Sequence, residues 1–174
     1  MISCDNYTEG AIATKYLIDC NCQKILYIGS VSTTKKINMD ADKRFSAYMD
    51  KITERGLSPF SYDMDFSLSY SEKFNVIRAL LLKDKYDGVF TDDFSAIATI
   101  NAAKACGLAI PGHLKVVGFD GADLTLQYAP YLSTIRQPIK SIAQHAVKTL
   151  LNKINGLPFD NIINLPVNIH IGCD

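Results

Sequence analysis

Strand-like and helix-like stretches alternate along this chain from one end to the other. The clearest strand is Lys115-Val116-Val117-Gly118-Phe119-Asp120-Gly121, a run of β-branched and apolar residues that stops in an acid and a glycine. A strand covered by helices on both faces reads this way, because neither face needs polar alternation. Lys24-Ile25-Leu26-Tyr27-Ile28-Gly29 has the same character, and the run from Asp87 to Asp93 ends in two acids. Tyr62–Phe66 predicts a shorter strand, Thr134–Gln137 a short extended segment, and Asn161–Gly172 one or two final strands. Helical spacing fills the gaps. Tyr7 to about Asn21 repeats apolar residues at Ala11, Ile12, Tyr16 and Leu17, and a polar loop from Ser30 to about Asn38 leads into a helix ending at Arg55. Ser71–Lys85 turns Phe74, Ile77 and Leu81, with Val76 and Leu80, toward the sheet, and alanine-rich Phe94–Cys106 forms the next helix. Gly56, Gly107 and Gly156 fall where helices end, and Pro138 suits the first turn of the last one.

This order predicts an α/β fold, a doubly wound and mainly parallel sheet in a three-layer α/β/α arrangement. The loops near Ser30, Phe66, Asp92 and Asp120 then gather at the carboxyl ends of the strands, the edge where such sheets bind small molecules. There Asp120 can accept two hydrogen bonds from neighbouring hydroxyls of a polar ligand. A helix cap or turn role explains the same acid equally well from the residues alone.

Composition narrows the partners. With 174 residues and 48% hydrophobic content, the chain suffices for one well-cored domain. Lysine plus arginine and aspartate plus glutamate number 18 each, so no net field favours nucleic acid or an anionic membrane. No apolar run approaches the ~20 residues of a bilayer span, and Met1–Asn6 lacks the basic and apolar stretches of a secretory signal. Cys4, Cys20, Cys22, Cys106 and Cys173 form no metal-type spacing and predict reduced, mostly buried thiols in a cytoplasmic protein. His113, His145 and His170 lie far apart, and no phosphate-cradle, nucleophile-elbow or zinc-protease motif is present. Asp92-Asp93 resembles the acid cluster of phosphoacceptor domains, but Gly29-Ser30 stands where their further acid pair would be. The reading is therefore a binding protein with no catalytic residues, no metal and no cofactor.

Several motifs stand in one characteristic order. They are Asp5-Asn6 with Glu9-Gly10-Ala11 and Tyr16-Leu17-Ile18; Lys24-Ile25 leading to Ile28-Gly29; Arg44-Phe45-Ser46-Ala47-Tyr48; and Phe90-Thr91-Asp92-Asp93 with Ala96. Gly107-Leu108 with Ile110-Pro111, Val116–Asp120 and Pro130–Pro138 complete the set. In this order the chain resembles the effector-binding region of the LacI/GalR family of bacterial transcription regulators, which has the type I periplasmic-binding-protein fold. Departures are Ala47-Tyr48 for Gly-Phe or Gly-Tyr, Gly121 for a second acid, and Asp92-Asp93 for Asn-Asp or Ser-Asp.

The resemblance implies a ligand site made by Arg44, Asp120, Phe66, Asp92 and Gln137. Arg44 would fork onto adjacent oxygens, and Phe66 would stack on the ligand's apolar face. Asp92 would bond the ligand while Asp93 caps the next helix, and Asp5 and Asn6 would organise a crossover. Without the resemblance, Arg44 reads as a surface partner of Asp40 or Tyr48, and Phe66 as core. Asp40 and Asp42 read as a solvated loop that reaches toward the cleft. The implied organisation is a C-terminal lobe over 1–137, a return helix of a first lobe over 138–157, and final strands packing on the C-terminal lobe over 158–174. The implied partners are a mono- or disaccharide effector, a second copy in a homodimer, and operator DNA through an N-terminal headpiece outside this sequence. A transport-type sugar-binding protein, which shares the fold, is the alternative.

Overall fold

The computed structural model describes residues 1–29 and 39–172, without the side chains of 39–42 and 124. The loop expected from Ser30 to Asn38, the side chains of Asp40 and Asp42, and Cys173 lie outside the described residues. Eight strands and six helices follow in order among those described. They are β1 (Ile2–Cys4), α1 (Asn6–Asp19), β2 (Ile25–Gly29), α2 (Met39–Glu54), β3 (Phe60–Asp63), α3 (Tyr70–Lys83) and β4 (Gly88–Phe90). Next come α4 (Asp93–Ala105), β5 (Lys115–Asp120), α5 (Asp123–Tyr128), β6 (Ser133–Arg136), α6 (Ile139–Ile154), β7 (Ile163–Leu165) and β8 (Asn168–His170).

The main sheet runs β3-β2-β4-β5-β6-β8, parallel except for the antiparallel edge strand β8. Alternate side chains of the same strands enter two cores. Leu26, Ile28, Val89 and Val116 pack with Ile77 and Leu81 of α3 and the alanines of α4. Ile25, Tyr27, Phe90, Val117 and Phe119 pack on the other face with Ala13 and Leu17 of α1 and Tyr48 and Ile52 of α2. The sheet is thus sandwiched between helices, as the unbroken apolar strands required.

Strand β3 begins two residues before the expected Tyr62 and stops at Asp63, leaving Phe66 on the following loop. The cause is pairing: Leu26 opposes Phe60 and the last residue of β2, Gly29, opposes Asp63. Strand β1 was not legible in the sequence, since three residues carry no periodicity; β7, 161 positions away, pairs with it. Only β8 of the two last strands joins the main sheet.

Tyr48 ties α2 to that sheet. Its buried hydroxyl accepts from Phe60 N–H (2.8 Å) and stands 2.9 Å from the carbonyl oxygens of both Ile25 and Phe60. Removing it orphans a strand N–H, a loss of roughly 1–3 kcal/mol for a buried group. Tyr48→Phe is expected to lower stability by about 2 kcal/mol in denaturant titration, with the helix content of the folded protein unchanged.

Candidate functional site

The strand order reverses between β2 and β4, because β2 leads outward to β3 while β4 lies on its other side. At such a switch point the loops diverge and leave a crevice beyond the strand ends. A cavity of about 240 Å³ occupies that place, lined by Tyr27–Gly29, Phe90–Asp92, Phe119, Asp120, Arg44 and Phe66. Four of the five expected ligand residues therefore come together: Arg44, Phe66, Asp92 and Asp120. Gln137 lines an adjoining recess of about 320 Å³, which shares Arg44, Phe119 and Asp120 with the first and adds Cys4 and Asn6.

Arg44 is fixed from two sides. Its guanidinium lies 3.9 Å from the centre of the Phe119 ring and donates to the Asn6 side chain at 2.5 Å. Tyr48, one partner open to it from the residues alone, is engaged instead with strand backbone, and the Asp40 side chain lies outside the described residues. Stacking over a ring fixes the plane of the fork at the crevice wall. Close approach of α1 positions α2 here, since a Cβ on Gly10 would lie 2.6 Å from the Arg44 carbonyl oxygen.

At the end of β4 the capping role falls to the other acid than the one expected. Asp92 is the N-cap of α4, its carboxylate accepting from Ser95 N–H at 3.0 Å, and it still lines the cavity. Asp93, the residue expected to cap, turns inward and is buried. It accepts from Gly121 N–H (2.9 Å) and from the Thr134 hydroxyl (2.5 Å). The reason is helical phase: the first residue inside the helix faces β5, where Gly118 has no side chain and leaves room for the carboxylate.

That carboxylate anchors a tight corner. Asp120 has φ of 120° and Gly121 φ of 59°, both in the left-handed half of backbone space. For aspartate this conformation is costly and persists only where surrounding bonds impose it. The corner throws the Asp120 carboxylate over the crevice. A side chain at Gly121 would meet the Arg136 backbone (Cα at 2.6 Å), so this corner requires glycine. Burial raises the Asp120 carboxyl to about 6, with the Asp93 charge as the next cause and Arg44 opposing both. Burial likewise raises Asp93, against the bonds from Thr134 and Gly121.

One acid beside the site carries no sequence signal of function. Glu9, in the first turn of α1, is fully buried, and no N–H or O–H among the described residues reaches either carboxylate oxygen. Burial lifts it to about 7, with Arg44 and the adjacent Cys4 thiol pulling it down and Asp120 and Asp5 pushing it up. Helical spacing places Glu9 one turn before Ala13 on the buried stripe, the signal that could have located it. Asp5 caps α1, accepting from Tyr7 N–H (3.1 Å) and the Thr8 hydroxyl (2.7 Å).

A polar, aromatic-walled crevice at the switch point of a doubly wound sheet stands where folds of this class bind small molecules. The comparisons agree. The chain belongs to the periplasmic binding protein-like domain family, whose model matches residues 14–171, and within it to the LacI-type transcriptional regulators. It is 32% identical over 173 residues to the sucrose operon repressor of Streptococcus mutans, covering 99% of this chain and 52% of that protein. The ribose operon repressor of Halalkalibacterium halodurans is 29% identical over 163 residues, covering 92% of this chain and 47% of the relative. A LacI-type regulator from Alkaliphilus metalliredigens complexed with D-xylulofuranose superposes with a TM-score of 0.82 at 25% identity, over 98% of this chain and 64% of that one. The chain spans about half the length of the curated relatives it matches. These relatives are transcriptional repressors, and among the described residues no helix is long and apolar enough to cross a membrane.

Proposed function

We propose that this chain is the effector-binding and dimerisation region of a cytoplasmic repressor, and that its effector is a small sugar. The supporting observation is the convergence of Arg44, Asp92 and Asp120 with the Phe66 ring at one crevice. A guanidinium donates and a carboxylate accepts, which matches adjacent hydroxyls, while an aromatic face suits the C–H face of a sugar ring. No catalytic role is assigned to these groups. Gln137, whose backbone N–H donates to the Asp120 carbonyl (3.2 Å), lines the adjoining recess, where its side-chain amide can serve either the ligand or the crossover backbone.

The rest of the mechanism follows from a one-sided crevice. A second lobe closes over the ligand, and the ligand's greater affinity for the closed form shifts the equilibrium. Helix α6 has no buried residue and exposes Val147, Leu150, Leu151 and Ile154; we assign it, with residues 138–157, to the core of that second lobe. Closure alters the spacing of paired headpieces on operator DNA in a homodimer.

Sugar titrations of this chain followed by backbone NMR test the reading. Sucrose and ribose, the sugars in the relatives' names, should move the amides of Asp120 and Gly121 with weak affinity, roughly millimolar. Binding should weaken as pH falls through about 6, where Asp120 takes up a proton and loses an acceptor. Asp120→Asn should remove that pH dependence along with most of the affinity. Sugar-induced shifts confined to residues away from the crevice would overturn the proposal.

A further inference from the structure

Beside the crevice lies a feature that the proposed sugar site does not use. Phe94, in the first turn of α4, is 49% exposed, and so is Phe66 on the loop after β3. Between them Lys73 of α3 is only 3% exposed, its ammonium 5.3 Å from the Phe66 ring centre and 5.0 Å from that of Phe94. Two rings that close to one nitrogen are neighbours on one surface. Tyr70 packs edge-on against Phe94 at 5.8 Å, and its hydroxyl accepts from the Asn101 side chain at 2.6 Å. The rings are thus braced from below and open to solvent above.

We propose that Phe66, Phe94 and Lys73 form a second sugar-ring subsite, so that the preferred effector has at least two rings. The inference rests on the sugar reading of the crevice and deepens it. Two observations carry it. Phe66 lines that crevice and shares the Lys73 ammonium with Phe94, which sets the second ring beside the first. Lys73 supplies the polar handle: among the described residues its ammonium meets only the two rings, which leaves N–H donors for ligand oxygens. A flat aromatic pair with one buried donor set matches the alternating C–H and hydroxyl surface of a pyranose or furanose ring. A rigid shelf also binds with little ordering cost.

The test uses this chain with selectively labelled phenylalanine rings and methyl α-glucoside, sucrose, maltose and cellobiose as probes. The one-ring glucoside should shift Phe66 and the Asp120 amide and leave Phe94 unmoved. At least one disaccharide should shift Phe94 as well and bind five-fold or more tightly. Phe94→Ala should reduce that disaccharide advantage to less than two-fold, and Lys73→Met, which keeps the apolar stem, should reduce it in part. A silent Phe94 while Asp120 responds to every sugar would overturn the shelf and leave the crevice reading standing. So would a Phe94→Ala variant that weakens one-ring and two-ring ligands equally. Silence at Asp120 and Phe94 alike would overturn both.

Discussion

Replacing Asp93 with alanine is expected to cost about 3 kcal/mol of folding stability and to abolish effector binding with it. The carboxylate is buried and serves two donors, Gly121 N–H and the Thr134 hydroxyl. Each donor left unpaired in the interior costs roughly 1–3 kcal/mol, offset in part by relief of the buried charge. The functional loss has a separate cause. Asp120 keeps φ of 120° only because the corner after it is pinned, so release of Gly121 lets the chain relax and withdraw the ligand acceptor. Asp93→Asn is the control. The amide preserves the bond from Gly121 N–H, and the Thr134 hydroxyl can rotate to accept from it. Stability should fall by only about 1 kcal/mol. Because the Asp93 charge helps hold Asp120 near 6, the pH midpoint of binding should move to lower pH in the amide variant. Chemical denaturation and pH-dependent NMR titration of the two variants measure both effects. Unaltered binding in Asp93→Ala would show that Asp120 does not depend on this anchor.

Glu9→Met is expected to stabilise the protein at alkaline pH, the reverse of most core substitutions. A carboxyl held near 7 in the folded state and near 4.5 in the unfolded chain binds its proton more tightly when folded. Stability contributed by the protonated form is therefore complete below about 4.5 and falls as pH rises through 7. The loss between about pH 5 and 8 is on the order of 2–3 kcal/mol. Methionine conserves the unbranched shape and the helix propensity without the charge. The variant should match the parent near pH 5 and exceed it by about 2 kcal/mol near pH 8 in thermal or urea unfolding. A stability difference independent of pH would show that Glu9 is already ionised in the folded protein.

Much of the fold was legible because its signals are local. Apolar runs named β2, β4 and β5, helical spacing named α1 to α4, and Gly56, Gly107 and Gly156 marked helix ends with φ of 71°, 74° and 66°. Strand β1 and the register of β3 were not legible, since pairing with distant strands creates them. The short helix α5 also escaped, its six residues being too few for a period to show.

The site divides the same way. Arg44, Asp92 and Asp120 stand at the ends or starts of elements that sequence places, and the strand order gathers those ends at one edge. By itself, then, the sequence determined the class of fold and the polar and aromatic groups gathered at one edge of the sheet, because hydrophobic periodicity and strand-end chemistry are properties of short segments. Only the tertiary structure decided which acid caps and which anchors, that Glu9 is buried beside the Cys4 thiol, and that Phe94 joins Phe66 over Lys73. Those outcomes depend on which atoms of distant segments meet and which side chains lose water, and burial is a property of the assembled chain rather than of any stretch of it.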